Sequence, residues 1–207
     1  MVVGINKKNM IIRIIKRLRL FKKTINDLYN YIIFKINKIT YGNNFKINGK
    51  IYISNNGIAR IGDNFRANSG KNNNPIGGDT ILRLIVKKGA KLTIGNNVGI
   101  SNSTIYSAKQ IVIGNNVLIG GGCRIWDTNF HSLNPIIRFN GDYTIKSSPV
   151  FIEDNVFIGG STIILKGVKI GKNSIIGAGS VVTKSVPANE IWAGNPAIYI
   201  KKLNIGK

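Results

Sequence analysis

From Ile152 onward an aliphatic residue occupies every sixth position, through Ile158, Ile164, Ile170, Ile176 and Val182. Four residues after each stands a small or β-branched side chain: Val156, Thr162, Val168, Ser174, Ser180 and Val186. Gly159, Gly171 and Gly177 directly follow their aliphatic residues, and the same pattern appears earlier in Ile61-Gly-Asp-Asn-Phe65, Ile94-Gly-Asn-Asn-Val98, Ile113-Gly-Asn-Asn-Val117 and Ile119-Gly-Gly-Gly-Cys123. A period of six matches neither the 3.6 of an amphipathic helix nor the 2 of a long alternating strand. It suits a short strand followed by a turn, with glycine or asparagine where φ becomes positive. Stacked units of this kind pair their backbones at about 4.8 Å and align the aliphatic residues in internal rows. The pattern predicts an all-β chain built as a parallel β-helix.

The first forty residues follow another rule. Ile11, Ile14, Leu18, Phe21, Ile25, Leu28 and Ile32 alternate at spacings of three and four, with Arg13, Lys16, Arg17, Arg19, Lys22 and Lys23 on other faces. This predicts a basic amphipathic helix over residues 1–40, preceding a β-helix domain over 41–207. Its charges are too frequent for a bilayer span or a signal peptide, which places the expected location on the cytoplasmic side. Two uses stay open: lying on an anionic membrane surface, or packing on the β-helix or on partner chains.

The ladder breaks after Ile125. Its phase holds from Ile113 through Ile119 to Ile125 and resumes at Ile152, 27 positions later, which is no multiple of six. Residues 126–149 are therefore expected to be extruded. Asp127, Asn129, His131, Ser132, Asn134, Arg138, Asn140 and Asp142 concentrate polar groups there that a coil would not bury. His131 is the single histidine of the chain, and an imidazole is the side chain best suited to exchange a proton near neutral pH.

Composition changes this picture little. The 207 residues carry a formal charge of +22, but no helix-turn-helix, zinc-finger or RNA-binding signature accompanies it, so no nucleic-acid partner is expected. A basic surface equally suits a phosphate-bearing coenzyme or substrate. The single cysteine, Cys123, rules out an internal disulfide and occupies a packing position in its repeat. No metal is expected, and a zinc site made of three histidines is excluded by the histidine count.

Taken together, the hexads, the Asp127-Thr-Asn-Phe-His131 segment and the later runs Ile158-Gly-Gly, Ile176-Gly-Ala-Gly-Ser-Val-Val-Thr-Lys184 and Ala193-Gly-Asn-Pro-Ala197 resemble bacterial hexapeptide-repeat acetyltransferases. The similarity is to sugar and polysaccharide O-acetyltransferases of the maltose, galactoside and capsule or colanic-acid type, over roughly residues 50–203. This resemblance implies a left-handed prism with three hexads per coil, acetyl-CoA as cosubstrate and a homotrimer whose active sites lie between neighbouring prisms. It implies His131 as general base toward a sugar hydroxyl, in direct transfer within a ternary complex. Gly160 and Ala178 match positions lining the pantetheine arm, Thr183 and Lys184 match positions near the adenosine phosphates, and Lys201 stands where the family often has arginine. Ser101, Asn102, Asp127 and Asn129 are the candidate acceptor contacts; Asp127 or a backbone carbonyl is the candidate orienting group for the imidazole. Asn129 replaces a commonly acidic residue. The segment Ala197 to Leu203 is expected to form a short capping helix, with the N-terminal region covering the other end.

The alternatives are transfer to the amine of a nucleotide-linked amino sugar and a non-catalytic β-helix that only binds. The resemblance implies a surface glycan, or its nucleotide- or lipid-linked precursor, as the acceptor.

Overall fold

The computed structural model describes residues 7–76, 80–140 and 145–204. Its body is a prism with three faces, each a stack of parallel strands one coil apart. The first face runs Thr40–Tyr41, Ile58–Ile61, Lys91–Ile94, Gln110–Ile113, Val150–Ile152 and Lys169–Ile170. The second runs Lys46–Asn48, Arg66–Asn68, Gly99–Ser101, Leu118–Ile119, Phe157–Ile158 and Ile175–Ile176. It ends in Glu190–Gly194 and Ala197–Lys202. The third runs Tyr52–Asn55, Arg83–Val86, Thr104–Ser107, Arg124–Trp126, Ile163–Ile164 and Val181–Val182.

The hexad residues form the interior rows. Ile61, Ile94, Ile113, Ile152 and Ile170 are in register on the first face, and Leu84, Ile105, Ile125, Ile164 and Val182 on the third. All of them are buried. Each buried aliphatic side chain contributes on the order of 1.5–3 kcal/mol relative to exposure, and the inward direction recurs because strand side chains alternate between faces.

The corner between the first and second faces explains the Gly-x-Asn of the repeats. Asn44, Asn64, Asn97, Asn116, Asn155, Asn173 and Asn189 all adopt left-handed backbone with φ of 56–62°, which asparagine tolerates better than other side chains bearing a Cβ. Each amide from Asn44 to Asn173 donates through Nδ2 to Oδ1 of the asparagine one coil on, at 2.7–3.3 Å. The result is a continuous asparagine ladder of the sort seen where identical side chains stack in register.

Helix α1, Lys7–Ile36, closes the first coil only with its last turns. Phe34 is buried and packs with Tyr41 and Phe45 at ring distances of 5.1 and 5.5 Å. Asn30 is also buried; its Nδ2 donates to the Gly49 carbonyl and its Oδ1 accepts from Ile51 N–H. The apolar stripe from Ile14 to Leu28 remains exposed, Phe21 at 67%.

The other end corrects the expected C-terminal helix. Ala197–Lys202 is a strand running antiparallel to Glu190–Gly194. Gly194, at φ 104°, permits the reversal, and the N–H and C=O groups at the edge of the second face give the returning chain backbone partners that a helix would leave unpaired.

Candidate active site

The extruded loop is pinned at its neck. Thr128 and Ser147 form an antiparallel bridge, Asn129 N–H donates to the Lys146 carbonyl and Ser148 N–H to the Asp127 carbonyl. At the tip is a six-residue helix α2, Pro135–Asn140, whose first turn is capped by Asn134 Oδ1 accepting from Ile136 and Ile137 N–H. The Asn134-Pro135 pair signals this start, an N-cap followed by proline at the first helical position, although the expectation for 126–149 was only an extruded loop. Asp142, one of the loop's polar residues, lies outside the described residues.

His131 is exposed, on the rim of a cavity of about 550 Å³ lined also by Asn129, Ser132, Asn134, Ile137 and Lys146. Its ring makes no hydrogen bond with the described residues. Phe130, at φ 62°, precedes it and packs against Tyr106 at 4.8 Å and Trp126 at 6.1 Å between ring centroids. That aromatic cluster ties the base of the loop to the third face.

Asp127 has a different task from those expected of it. It is fully buried, and its carboxylate accepts from Ala108, Lys109 and Gln110 N–H at 2.6–2.8 Å and from the Ser107 hydroxyl at 3.2 Å. With its oxygens spent on the preceding coil's turn, it neither contacts an acceptor nor orients the imidazole. Asn102 is likewise withdrawn from the acceptor set. It is buried, its Oδ1 accepts from Gly70 N–H and its carbonyl accepts from the Thr80 hydroxyl, so it holds both ends of the segment between strands Arg66–Asn68 and Arg83–Val86. Ser101 is half-buried beside it and accepts from Asn68 Nδ2, on a cavity of about 750 Å³ along the second face. That cavity shares no residue with the one at His131.

Gly160 and Ala178 lie on successive coils at the corner between the second and third faces, where Gly179 N–H donates to the Gly160 carbonyl. No described residue accepts from the N–H of Gly160 or Ala178, which leaves two backbone donors available to a ligand. Close approach is built in: a Cβ on Gly120 would meet Gly160 N at 2.5 Å, and one on Gly160 would meet the Gly121 carbonyl at 3.1 Å. Thr183 and Lys184 are exposed at the opposite edge of the third face, the edge from which the His131 loop leaves. Lys201 is exposed on the final strand, opposite Ile191. One chain therefore places His131 and the two free backbone donors on different corners of the prism.

Cys123 is buried beneath the glycine corner and donates to the Gly159 carbonyl at 3.2 Å. Burial raises its thiol pKa above the ordinary value, so it stays protonated and is no covalent acyl carrier. Among the described residues no cluster of His, Cys, Asp and Glu is arranged to hold a metal ion.

Residues 149–184 match the family described as hexapeptide repeat of succinyl-transferase. Over that stretch the chain is similar to hexapeptide-repeat transferases. Its prism is the left-handed parallel β-helix of the solved acetyltransferases on which it superposes. A galactoside O-acetyltransferase of Lactococcus lactis subsp. lactis (strain IL1403) is 43% identical over 103 residues, covering 50% of this chain and 48% of that protein. The match thus spans about half the length of such relatives. The solved structure of a galactoside acetyltransferase in complex with coenzyme A superposes with a TM-score of 0.55 at 29% identity, covering 90% of this chain and 80% of that one. AntD, an N-acyltransferase from Bacillus cereus in complex with dTDP and 3-hydroxybutyryl-CoA, superposes with a TM-score of 0.64 at 25% identity, covering 82% of this chain and 86% of that one.

Proposed function

We propose that this protein is an acetyl-CoA-dependent O-acetyltransferase acting on a hydroxyl of a glycan or its activated precursor. The observation that carries the reading is His131, an exposed imidazole without a hydrogen bond to any described residue, on a loop braced at its neck. An alcohol is a weak nucleophile toward a thioester, so a base must take its proton as the new carbon–oxygen bond forms. His131 fills that role, and the proton passes to the departing thiolate of coenzyme A. The free N–H groups of Gly160 and Ala178 hold the pantetheine arm, and Gly160 is the candidate donor to the oxyanion of the tetrahedral intermediate. Thr183, Lys184 and Lys201 meet the coenzyme's phosphates, and Ser101 and Asn129 remain the acceptor contacts. Lysine neutralises a phosphate without the fork-shaped pairing of arginine.

Because these groups occupy different corners of one prism, a complete site needs more than one chain. A homotrimer supplies it, with His131 of one protomer entering the groove beside the glycine corner of the next. Mixing a His131→Ala chain with a Gly160→Trp chain tests this arrangement. Co-assembled oligomers regain activity that neither parent has if the site is shared; no recovery places the whole site within one chain.

Transfer to an amine is the second reading, favoured by the overlay on AntD. Incubation with acetyl-CoA and a panel of hydroxyl- and amino-sugar acceptors, followed by NMR of the product, separates the two: an acetyl ester supports the first reading and an acetamide the second. No described helix is long and apolar enough to cross a membrane. The exposed stripe of α1, flanked by lysine and arginine with Asp27 as the helix's one acid, fits peripheral seating on the inner, anionic face of the cell membrane.

A further inference from the structure

Helix α1 sits on the prism the wrong way round for an ordinary packed helix. Beyond the turns held by Asn30 and Phe34, its apolar stripe faces away, while Arg19, Lys22, Lys23 and Asn26 face the segment that follows strand Arg66–Asn68. Between them lies a cavity of about 710 Å³ whose far wall includes Asn48, Gly49, Lys71 and Asn73. Arg19, Lys22, Lys23 and Lys71 converge on this space from two separate elements, and no carboxylate lines it among the described residues. The pairing of Lys23 with Asp27 is long at 3.8 Å and more than half exposed, so it neutralises little. A concave wall carrying one sign of charge focuses its potential into the cavity.

The walls are held in place. Asn30 clamps the helix to Gly49 and Ile51, and Asn73 Nδ2 donates to the Ser69 carbonyl at 2.7 Å. Lys71 begins a segment that runs down the same corner of the prism as the free backbone donors. Its Asn74 lies over Gly121, where a Cβ would meet the amide at 2.5 Å, and Gly121 is stacked on Gly160. Gly49 and Gly160 are separated by four steps between coils, a span of about 19 Å at roughly 4.8 Å per coil.

We propose that this cavity binds the diphosphate of the acceptor, an oligosaccharide esterified to a diphosphate carrier, whose sugar chain descends the glycine corner toward the acetyl group. The proposal rests on the acetyltransferase reading for its acceptor, and on geometry alone for its anion. A single sugar falls short of the span, whereas a short oligosaccharide covers it. A nucleotide and a polyprenyl lipid both present the same diphosphate ester.

The test has a binding arm and a kinetic arm, both with the full chain. Calorimetry with inorganic pyrophosphate should show saturable binding that weakens at least tenfold in a Lys22→Ala/Lys71→Ala variant and is kept by Lys87→Ala/Lys88→Ala, which removes equal charge elsewhere. Absence of saturable binding, or equal loss in both variants, overturns the site. In acetyl transfer, Lys22→Ala/Lys71→Ala should raise KM at least tenfold for diphosphate-linked oligosaccharides and leave the free oligosaccharide unchanged. An equal change for linked and free acceptors overturns the assignment to the acceptor. The better of the nucleotide-linked and polyprenyl-linked substrates identifies the carrier. Failure of every acceptor would count against the acetyltransferase reading, while the pyrophosphate result would still decide the anion site.

Discussion

At the scale of single residues, Asp127 and His131 serve different ends although they stand four positions apart. Asp127 is spent on three backbone donors and a hydroxyl, and hydrogen bonds to a charged group are worth about 1.5–3 kcal/mol each. Asp127→Ala is therefore expected to destabilise the protein by several kcal/mol, lowering Tm by roughly 10 °C for a domain of this size, with the surviving folded fraction keeping its acceptor KM. Thermal denaturation beside steady-state kinetics checks this; an unchanged Tm with a raised KM would return Asp127 to the acceptor site. The roles of Asp127 and Asn102 were not legible in the sequence, because a polar residue beside a candidate base reads alike whether it faces solvent or a turn. What decides between those uses is the register of the neighbouring coil, which brings Ala108, Lys109 and Gln110 under Asp127 from nearly twenty positions away.

At the scale of elements, the hexad period was enough to place the strands from Ile152 onward, where Ile152 pairs with Ile170, Ile158 with Ile176 and Ile164 with Val182 at one constant spacing; the earlier row of Ile94, Ile113 and Ile152 keeps its register although its coils differ in length, because the extra residues leave the prism between strands. The asparagines of the Gly-Asn-Asn turns carried a further signal: their side chains link coil to coil at a left-handed corner. Asn116→Ala should lose both ladder bonds and force a Cβ residue without a polar tip into φ 56°, costing roughly 2–3 kcal/mol. Asn116→Gly, which relieves the backbone, should cost visibly less in urea unfolding, and equal losses would mean that the turn conformation contributes nothing. The strand Ala197–Lys202 was misread as helix because its edge pairing supplies what local periodicity does not show. Helix α2 was available in principle from Asn134-Pro135.

At the scale of the whole molecule, α1 is the part that the prism does not explain. Its C-terminal turns close the first coil, yet the stripe through Ile14, Leu18, Phe21, Ile25 and Leu28 has no partner among the described residues. If it seats on an anionic bilayer, a Leu18→Asp/Phe21→Asp variant should stay with the soluble fraction when vesicles containing phosphatidylglycerol are floated, whereas the unaltered protein rises with them. Flotation of both alike would assign the stripe to contacts between chains. The sequence displayed this helix and its charge plainly, but not its orientation, which depends on Asn30 and Phe34 finding the first coil.

The account as a whole is tested most directly by the rate of coenzyme A thiol release with a competent acceptor in a His131→Ala variant. A general base typically contributes about 10²- to 10⁴-fold, so turnover should fall by that range while coenzyme A still binds with its original affinity. Turnover at the level of the unaltered protein, with the same acceptor and saturating acetyl-CoA, would contradict it.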